Sequence, residues 1–142
     1  MPYVKIWIHC IWSTKNREPM INQDLKEKIF AHIAANVEDK KIVLDTINGT
    51  MDHVHALILL KPDQTLSKVI QLIKGESSYW VNKNKQTLFH FEWQDEYIAL
   101  SVSESAVNIV RDYIADQEKH HRKKGFTEEY EEFMKKCGLK PG

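Results

Sequence analysis

With 142 residues, 42% hydrophobic and 28% charged, the chain has the size and balance of one globular domain (1–142) with a real core. Its 20 Lys and Arg against 20 Asp and Glu give a formal net charge of +0, which excludes a strongly basic whole-protein footprint; any nucleic-acid contact must come from local patches. No run approaches the ~18 apolar residues of a membrane span, no signal-peptide pattern opens the chain, and Cys10 and Cys137 stand too far apart for a zinc knuckle, so a cytoplasmic, reducing location and no membrane partner are expected.

Tyr3 to Ser13 alternates β-branched and aromatic residues with others and is the first predicted strand. It ends in Thr14-Lys15-Asn16-Arg17-Glu18-Pro19, where Lys15 and Arg17 suit either a phosphate contact or a solvated turn. From Asn22 to Val37, Leu25, Ile29, Ile33 and Val37 recur at helical spacing, and Asn22 is a plausible N-cap. Lys41 to Ile47 is a second strand. Asn48-Gly49 is the hairpin signal that joins it, antiparallel, to a third strand over Met51 to Leu60.

That third strand carries His53 and His55. Side chains alternate between faces, so His53, His55, Leu57 and Leu59 share one face, and Val54, Ala56, Ile58 and Leu60 share the other. A strand apolar on both faces is a central, covered one, and two imidazoles there need partners for their nitrogens. A metal ion would supply one; satisfied core or interface histidines are the other reading.

After Lys61-Pro62, Leu66, Val69, Ile70, Ile73 and Trp80 mark a second amphipathic helix from about Thr65 to about Asn82, interrupted at Gly75. Its Lys74-Gly75-Glu76-Ser77-Ser78 segment is either scaffold or an approach to a phosphate. Leu88 to Ser103 contains the last strand, with aromatics fit for a core or for stacking on unpaired bases. Ser103 then caps a third helix whose Val107, Val110, Ile114 and His121 form a core-facing stripe. Tyr113 and Gln117, four residues apart, stack at the border of that stripe and reach into a cleft. Lys119-His120-His121-Arg122-Lys123-Lys124 makes the helix end basic, which suits the helix dipole or a phosphate backbone. Gly125 stops it, and a terminal helical extension covers about 126–138. The order is that of an α+β, ferredoxin-like βαββαβα sandwich with an antiparallel sheet and extra C-terminal helices.

Asp52-His53-Val54-His55 on a central strand, Tyr113-Ile114 with Gln117 on a late helix, and a first strand ending Trp12-Ser13-Thr14-Lys15-Asn16-Arg17 together resemble the small HUH-type transposases with one catalytic tyrosine. These are the insertion-sequence-two-hundred-like and REP-associated tyrosine transposases, which move elements as single-stranded DNA. The resemblance implies that His53 and His55 bind a divalent metal, Mg2+ or Mn2+, with Gln117 as third ligand, and that Tyr113 is the nucleophile. A phenol, with a solution pKa of about 10, attacks phosphorus once deprotonated and leaves a phosphotyrosine. That link keeps the energy of the broken phosphodiester, so rejoining needs no ATP or other nucleotide cofactor. The resemblance further implies a homodimer, in which one subunit's tyrosine can serve the other's histidines, and a single-stranded DNA substrate with a hairpin. Lys15, Arg17, Lys74, Arg122, Lys123 and Lys124 are the candidates for backbone contacts, chosen by charge and position.

A metallo-β-lactamase-type hydrolase would continue His-x-His-x-Asp-His, whereas Ala56-Leu57-Ile58-Leu59 follows here. A relaxase or replication initiator would share the chemistry but usually places its tyrosine near the N-terminus, where Tyr3 is embedded in a strand pattern. A domesticated, non-cutting binder of DNA or RNA hairpins is the alternative from a different class.

Overall fold

The computed structural model describes residues 3–117 together with Glu128, Glu131 and Glu132. Its elements run β1 (Ile6–Ser13), α1 (Gln23–Asp39), β2 (Val43–Gly49), β3 (His53–Leu60), α2 (Leu66–Lys83), β4 (Ile98–Val102) and α3 (Val107–Ala115), with 3-10 turns over Lys15–Arg17 and Glu104–Ala106. The sheet order is β2-β3-β1-β4, and every neighbouring pair is antiparallel. This is the ferredoxin-like α+β arrangement expected from the element order, with each of α1 and α2 carrying the chain past one strand. Among the described residues no helix is long and apolar enough to cross a membrane. The expected C-terminal extension lies outside the described residues apart from the three glutamates.

Alternation in the two central strands divides the core. Ile8, Cys10 and Trp12 of β1 and Val54, Ala56 and Ile58 of β3 pack against α1 and α2, which bury Leu25, Ile29, Ile33 and Val37 and Val69, Ile70 and Ile73 respectively. The opposite face puts Trp7 and Leu57 against Val107 and Ile114 of α3. Asn22 caps α1 as expected, its side chain accepting from the Leu25 N–H at 2.7 Å. α2 runs without a break through Gly75, and a Cβ there would meet nothing within 4 Å. The interruption expected at this glycine is absent because its backbone keeps helical geometry, where glycine costs entropy and nothing else.

The hairpin turn is displaced from its expected position. Asn48 and Gly49 still pair with His55 and Val54, and the turn falls on Thr50 to His53, closed by the Thr50 N–H to the His53 carbonyl at 3.0 Å. Gly49 is needed for closeness. A Cβ there would run into the His53 carbonyl oxygen and come within 3.1 Å of Val54 Cα. Asn48 serves α3, donating to the carbonyls of Ile114 and Ala115 at 3.0 Å each, two of the groups that a helix C-terminus leaves unpaired.

A register shift between Leu44 and Thr46 makes Asp45 the bulged residue of β2 and aims its carboxylate at α3. Arg111 grips it with two bonds of 2.8 and 2.7 Å and also lies over the Trp7 ring. Those bonds hold the Asp45 carboxyl below the usual carboxylate range, against the opposing effect of burial. A depressed carboxyl contributes stability above its unfolded pKa, about 4, and loses that contribution as pH falls through the folded value. Asp45→Asn is therefore expected to lower the denaturation midpoint at pH 7 and to flatten its fall in acid. The shift should be modest and salt-sensitive, since the Arg111 side chain is 41% exposed. Urea titrations of both proteins from pH 7 down to pH 3 measure it.

Candidate functional site

The parity that splits the core also builds the site. His53 and His55 lie on the α3 face of β3, opposite Ser13 and Ile11 of β1, while His9 of β1 is directly opposite Leu57 and so sits diagonal to His55. All three imidazoles are buried. His9 Nε2 stands 2.9 Å from His55 Nδ1, and the ring centroids are 5.1 Å apart. Sequence reasoning missed His9. Its signal was a histidine at an inward position of a strand otherwise made, up to its final Ser13, of tryptophan, isoleucine and cysteine. Burial pushes the His9 pKa down to about 4, so the ring is neutral at pH 7, and pushes the Cys10 thiol up to about 12.

The displaced hairpin turn holds His53. Its Nδ1 is 2.8 Å from Thr50 Oγ1 and 2.8 Å from Asp52 Oδ1, and Thr50 Oγ1 in turn donates to Asp52 at 3.1 Å. With the carboxylate as acceptor, the proton sits on Nδ1, and Nε2 is the nitrogen that faces the site. There it meets Gln117 Oε1 at 3.3 Å. The orientation of that amide follows from its other end, because Gln117 Nε2 donates to the backbone carbonyl of Tyr113 at 3.1 Å. Gln117 was expected at the border between core and solvent and is instead fully buried. α3 ends at Ala115 and Asp116 leaves helical geometry, so the regular i, i+4 face drawn through Gln117 does not hold, and the amide swings under the sheet.

The imidazole nitrogens of His53 and His55 and the amide oxygen of Gln117 form a mixed nitrogen and oxygen donor set of the kind that suits a divalent cation. Among the described residues no three His, Cys, Asp or Glu side chains converge on one point. A cation would therefore take His53, His55 and the amide oxygen of Gln117, with remaining positions open. Tyr113, half-buried at the rim, sets its ring edge-on to His55 and His9, at centroid distances of 5.6 and 6.1 Å. Tyr113, Gln117 and the histidine pair thus meet within one chain.

The cationic candidates separate. Arg17 lines a cleft of about 410 Å³ with Ser13, Asn16, Gln94 and Tyr97, on the edge of the sheet next to the strand position opposite His53. Asn16 and Arg17 both hold left-handed backbone, φ 57° and 56°, a strained state for residues with a Cβ. The Asn16 N–H to Gln94 Oε1 at 3.0 Å ties this loop down. Lys15 pairs with Glu92 at 2.9 Å, whose hydrogen bond raises the lysine pKa. Lys74 straps the 94–95 segment through its carbonyls, at 3.1 Å to Asp95 O, and lines a neighbouring cleft; burial lowers its pKa. Arg122, Lys123 and Lys124 lie outside the described residues.

A family model described as "Transposase IS200 like" matches residues 2–117. Among solved structures, one described as a transposase from Deinococcus radiodurans R1 is 23% identical, with a TM-score of 0.67 over 82% of this chain and 95% of that one. A second, a REP-associated tyrosine transposase bound to a REP hairpin, is 16% identical, with a TM-score of 0.63 over 89% of this chain and 73% of that one. Both share the fold. No curated protein matches the chain.

Proposed function

The chain belongs to the IS200-like transposase family, and we propose that it cleaves and rejoins single-stranded DNA at element ends through a 5′-phosphotyrosine on Tyr113. The observation that carries this reading is the convergence, in one buried cluster, of the Tyr113 ring, the Gln117 amide oxygen and the His53–His55 pair. The Tyr113 oxygen bonds to phosphorus, the P–O3′ bond breaks, the phenol gives up its proton, and the leaving strand ends in a 3′-hydroxyl. In the reverse step a 3′-hydroxyl attacks the phosphotyrosine and frees the phenol. Thr50 and Asp52 fix the His53 ring, and Tyr113's own carbonyl fixes the Gln117 amide, so the two acceptors are set before any substrate arrives. Held by His53, His55 and Gln117, a divalent cation, Mg2+ or Mn2+, would polarise the scissile phosphate and stabilise charge on the leaving oxygen.

The proposed substrate is a single strand with a hairpin, taken by a homodimer. Its support is the family together with the second structural neighbour, itself bound to a REP hairpin. Arg17, lining the cleft beside β1, is placed to meet the strand's phosphates, and because the salt dependence scales with the number of phosphates neutralised, Arg17→Ala should weaken binding and make its fall with salt shallower.

The test is a labelled single strand taken from the DNA flanking the protein's own gene, hairpin included, incubated with Mg2+, Mn2+ or a chelator and run on a denaturing gel. The expected result is a metal-dependent protein–DNA adduct, formed with the single strand and absent with duplex, whose modified peptide maps to Tyr113. Tight binding without an adduct in either metal would replace this reading with that of a hairpin-binding module. An adduct on another residue would overturn the site assignment.

A further inference from the structure

We propose that His9 is a positioning residue whose Nε2 accepts the Nδ1–H of His55, locking His55 in the tautomer that presents its Nε2 to a metal. The inference rests on the proposed role of His55 as a ligand, and it adds the group that prepares that ligand. The two nitrogens are 2.9 Å apart, the two rings are tilted by 35°, and both side chains are buried. In water a neutral imidazole distributes its proton over both nitrogens. Away from water, the neighbour decides.

For His53 the neighbour is Asp52 with Thr50, a carboxylate and a hydroxyl at the Nδ1. For His55 Nδ1 the neighbour is another imidazole, held on the adjacent strand by the pairing of His9 with Leu57. The two ligands are thus prepared by unlike partners from unlike places, one from the hairpin turn and one from β1. The His9 ring also touches Tyr113 edge-on, so one side chain borders both the ligand and the proposed nucleophile. A ligating histidine commonly depends on such a partner, and removing the partner typically costs roughly 10- to 100-fold in metal affinity.

The same 2.9 Å separation would arise if His9 and His55 both bound one ion, so the experiment must tell a positioning residue from a ligand. Full-length protein labelled with 15N at histidine is studied without metal by long-range 1H–15N spectra, with His55 assigned from its own substitution. The expected wild-type spectrum shows His55 protonated at Nδ1. In His9→Phe, which keeps the ring and removes the acceptor, His55 should leave that tautomer; His9→Gln, with an amide oxygen that accepts, should restore it.

Mn2+ titrations followed by electron paramagnetic resonance should then give roughly 10- to 100-fold weaker binding in His9→Phe and recovery in His9→Gln. The number of imidazole nitrogens on the bound Mn2+, read from its nitrogen modulation, should stay the same in all three proteins. A wild-type His55 protonated at Nε2 overturns the proposal even if no variant folds. Loss of one imidazole nitrogen in His9→Phe overturns it too, because His9 would then be a ligand. If His55 shows the expected tautomer but the wild type takes up no Mn2+ at the histidine pair, the ligand reading of the site fails, and the tautomer assignment stands.

Discussion

Gly49→Ala is expected to destabilise the protein by about 2–3 kcal/mol and to disorder the histidine site along with the hairpin. Two effects oppose each other. Alanine restricts the unfolded chain and would add about 0.4–1 kcal/mol of stability where the native backbone accepts it, and Gly49 has no left-handed φ to forbid it. The new methyl, however, runs into the His53 carbonyl oxygen and stands 3.1 Å from Val54 Cα, and both obstacles are backbone. The carbonyl cannot yield without losing its 3.0 Å bond from the Thr50 N–H, and that turn is the one that fixes the His53 ring through Thr50 and Asp52. Collision therefore wins. Urea unfolding should show a lower midpoint with an unchanged slope, and Mn2+ binding should weaken in the folded variant. Gly75→Ala is the control. Open space surrounds that position in the middle of α2, so alanine there should gain about 0.5–1 kcal/mol. A neutral Gly49→Ala would mean that the hairpin is looser than its pairing shows.

Which parts of the site could be read before the fold is instructive residue by residue. His53 and His55 share a face because strand periodicity is strict, and burial on both faces follows from an apolar run on both parities. The stripe of Leu25, Ile29, Ile33 and Val37 is legible for the same reason, and all four are buried on α1. Asn48-Gly49 misled because the pair has two uses. Glycine permits a left-handed turn or a close approach of backbones, and only the partner strand shows which one is required. Asp45 gave no signal at all, since a bulge is a property of a strand pair and its ion pair spans 66 residues. His9 and Gln117 were hidden in a related way. A buried polar side chain has meaning through its partner, and the partner of His9 lies 46 residues away while that of Gln117 lies 64 away.

These long-range ties also explain why a short helix is enough to carry the tyrosine. α3 has nine residues, too few to be stable alone in water. It is held at three heights: Trp7 and Leu57 pack on Val107 and Ile114, Arg111 pairs with Asp45, and Asn48 caps the last carbonyls. The cap lies next to the residues that matter most, since Ile114 and Ala115 directly follow Tyr113 and precede Gln117. The position of the phenol is therefore set by β2 as much as by its own helix.

Tyr113→Phe is accordingly expected to abolish adduct formation, a loss of at least about 10⁴-fold, while leaving the fold and DNA binding intact. Phenylalanine keeps the ring in the same packing, edge-on to His55 at 5.6 Å and beside Val107 and Ile114, so a cooperative unfolding transition like that of the wild type is part of the prediction. The oxygen that would bond to phosphorus is gone, and the unsubstituted phenyl ring has no lone pair with which to attack a phosphodiester. His53→Ala should fail for another reason. It keeps the nucleophile and removes the nitrogen facing Gln117, so its loss should be accompanied by weaker Mn2+ binding, whereas Tyr113→Phe should bind Mn2+ as the wild type does. The two variants thus separate nucleophile from metal site. An adduct that persists in Tyr113→Phe would move the nucleophile elsewhere, and peptide mapping would show whether Tyr97, at the cleft with Arg17, had taken its place.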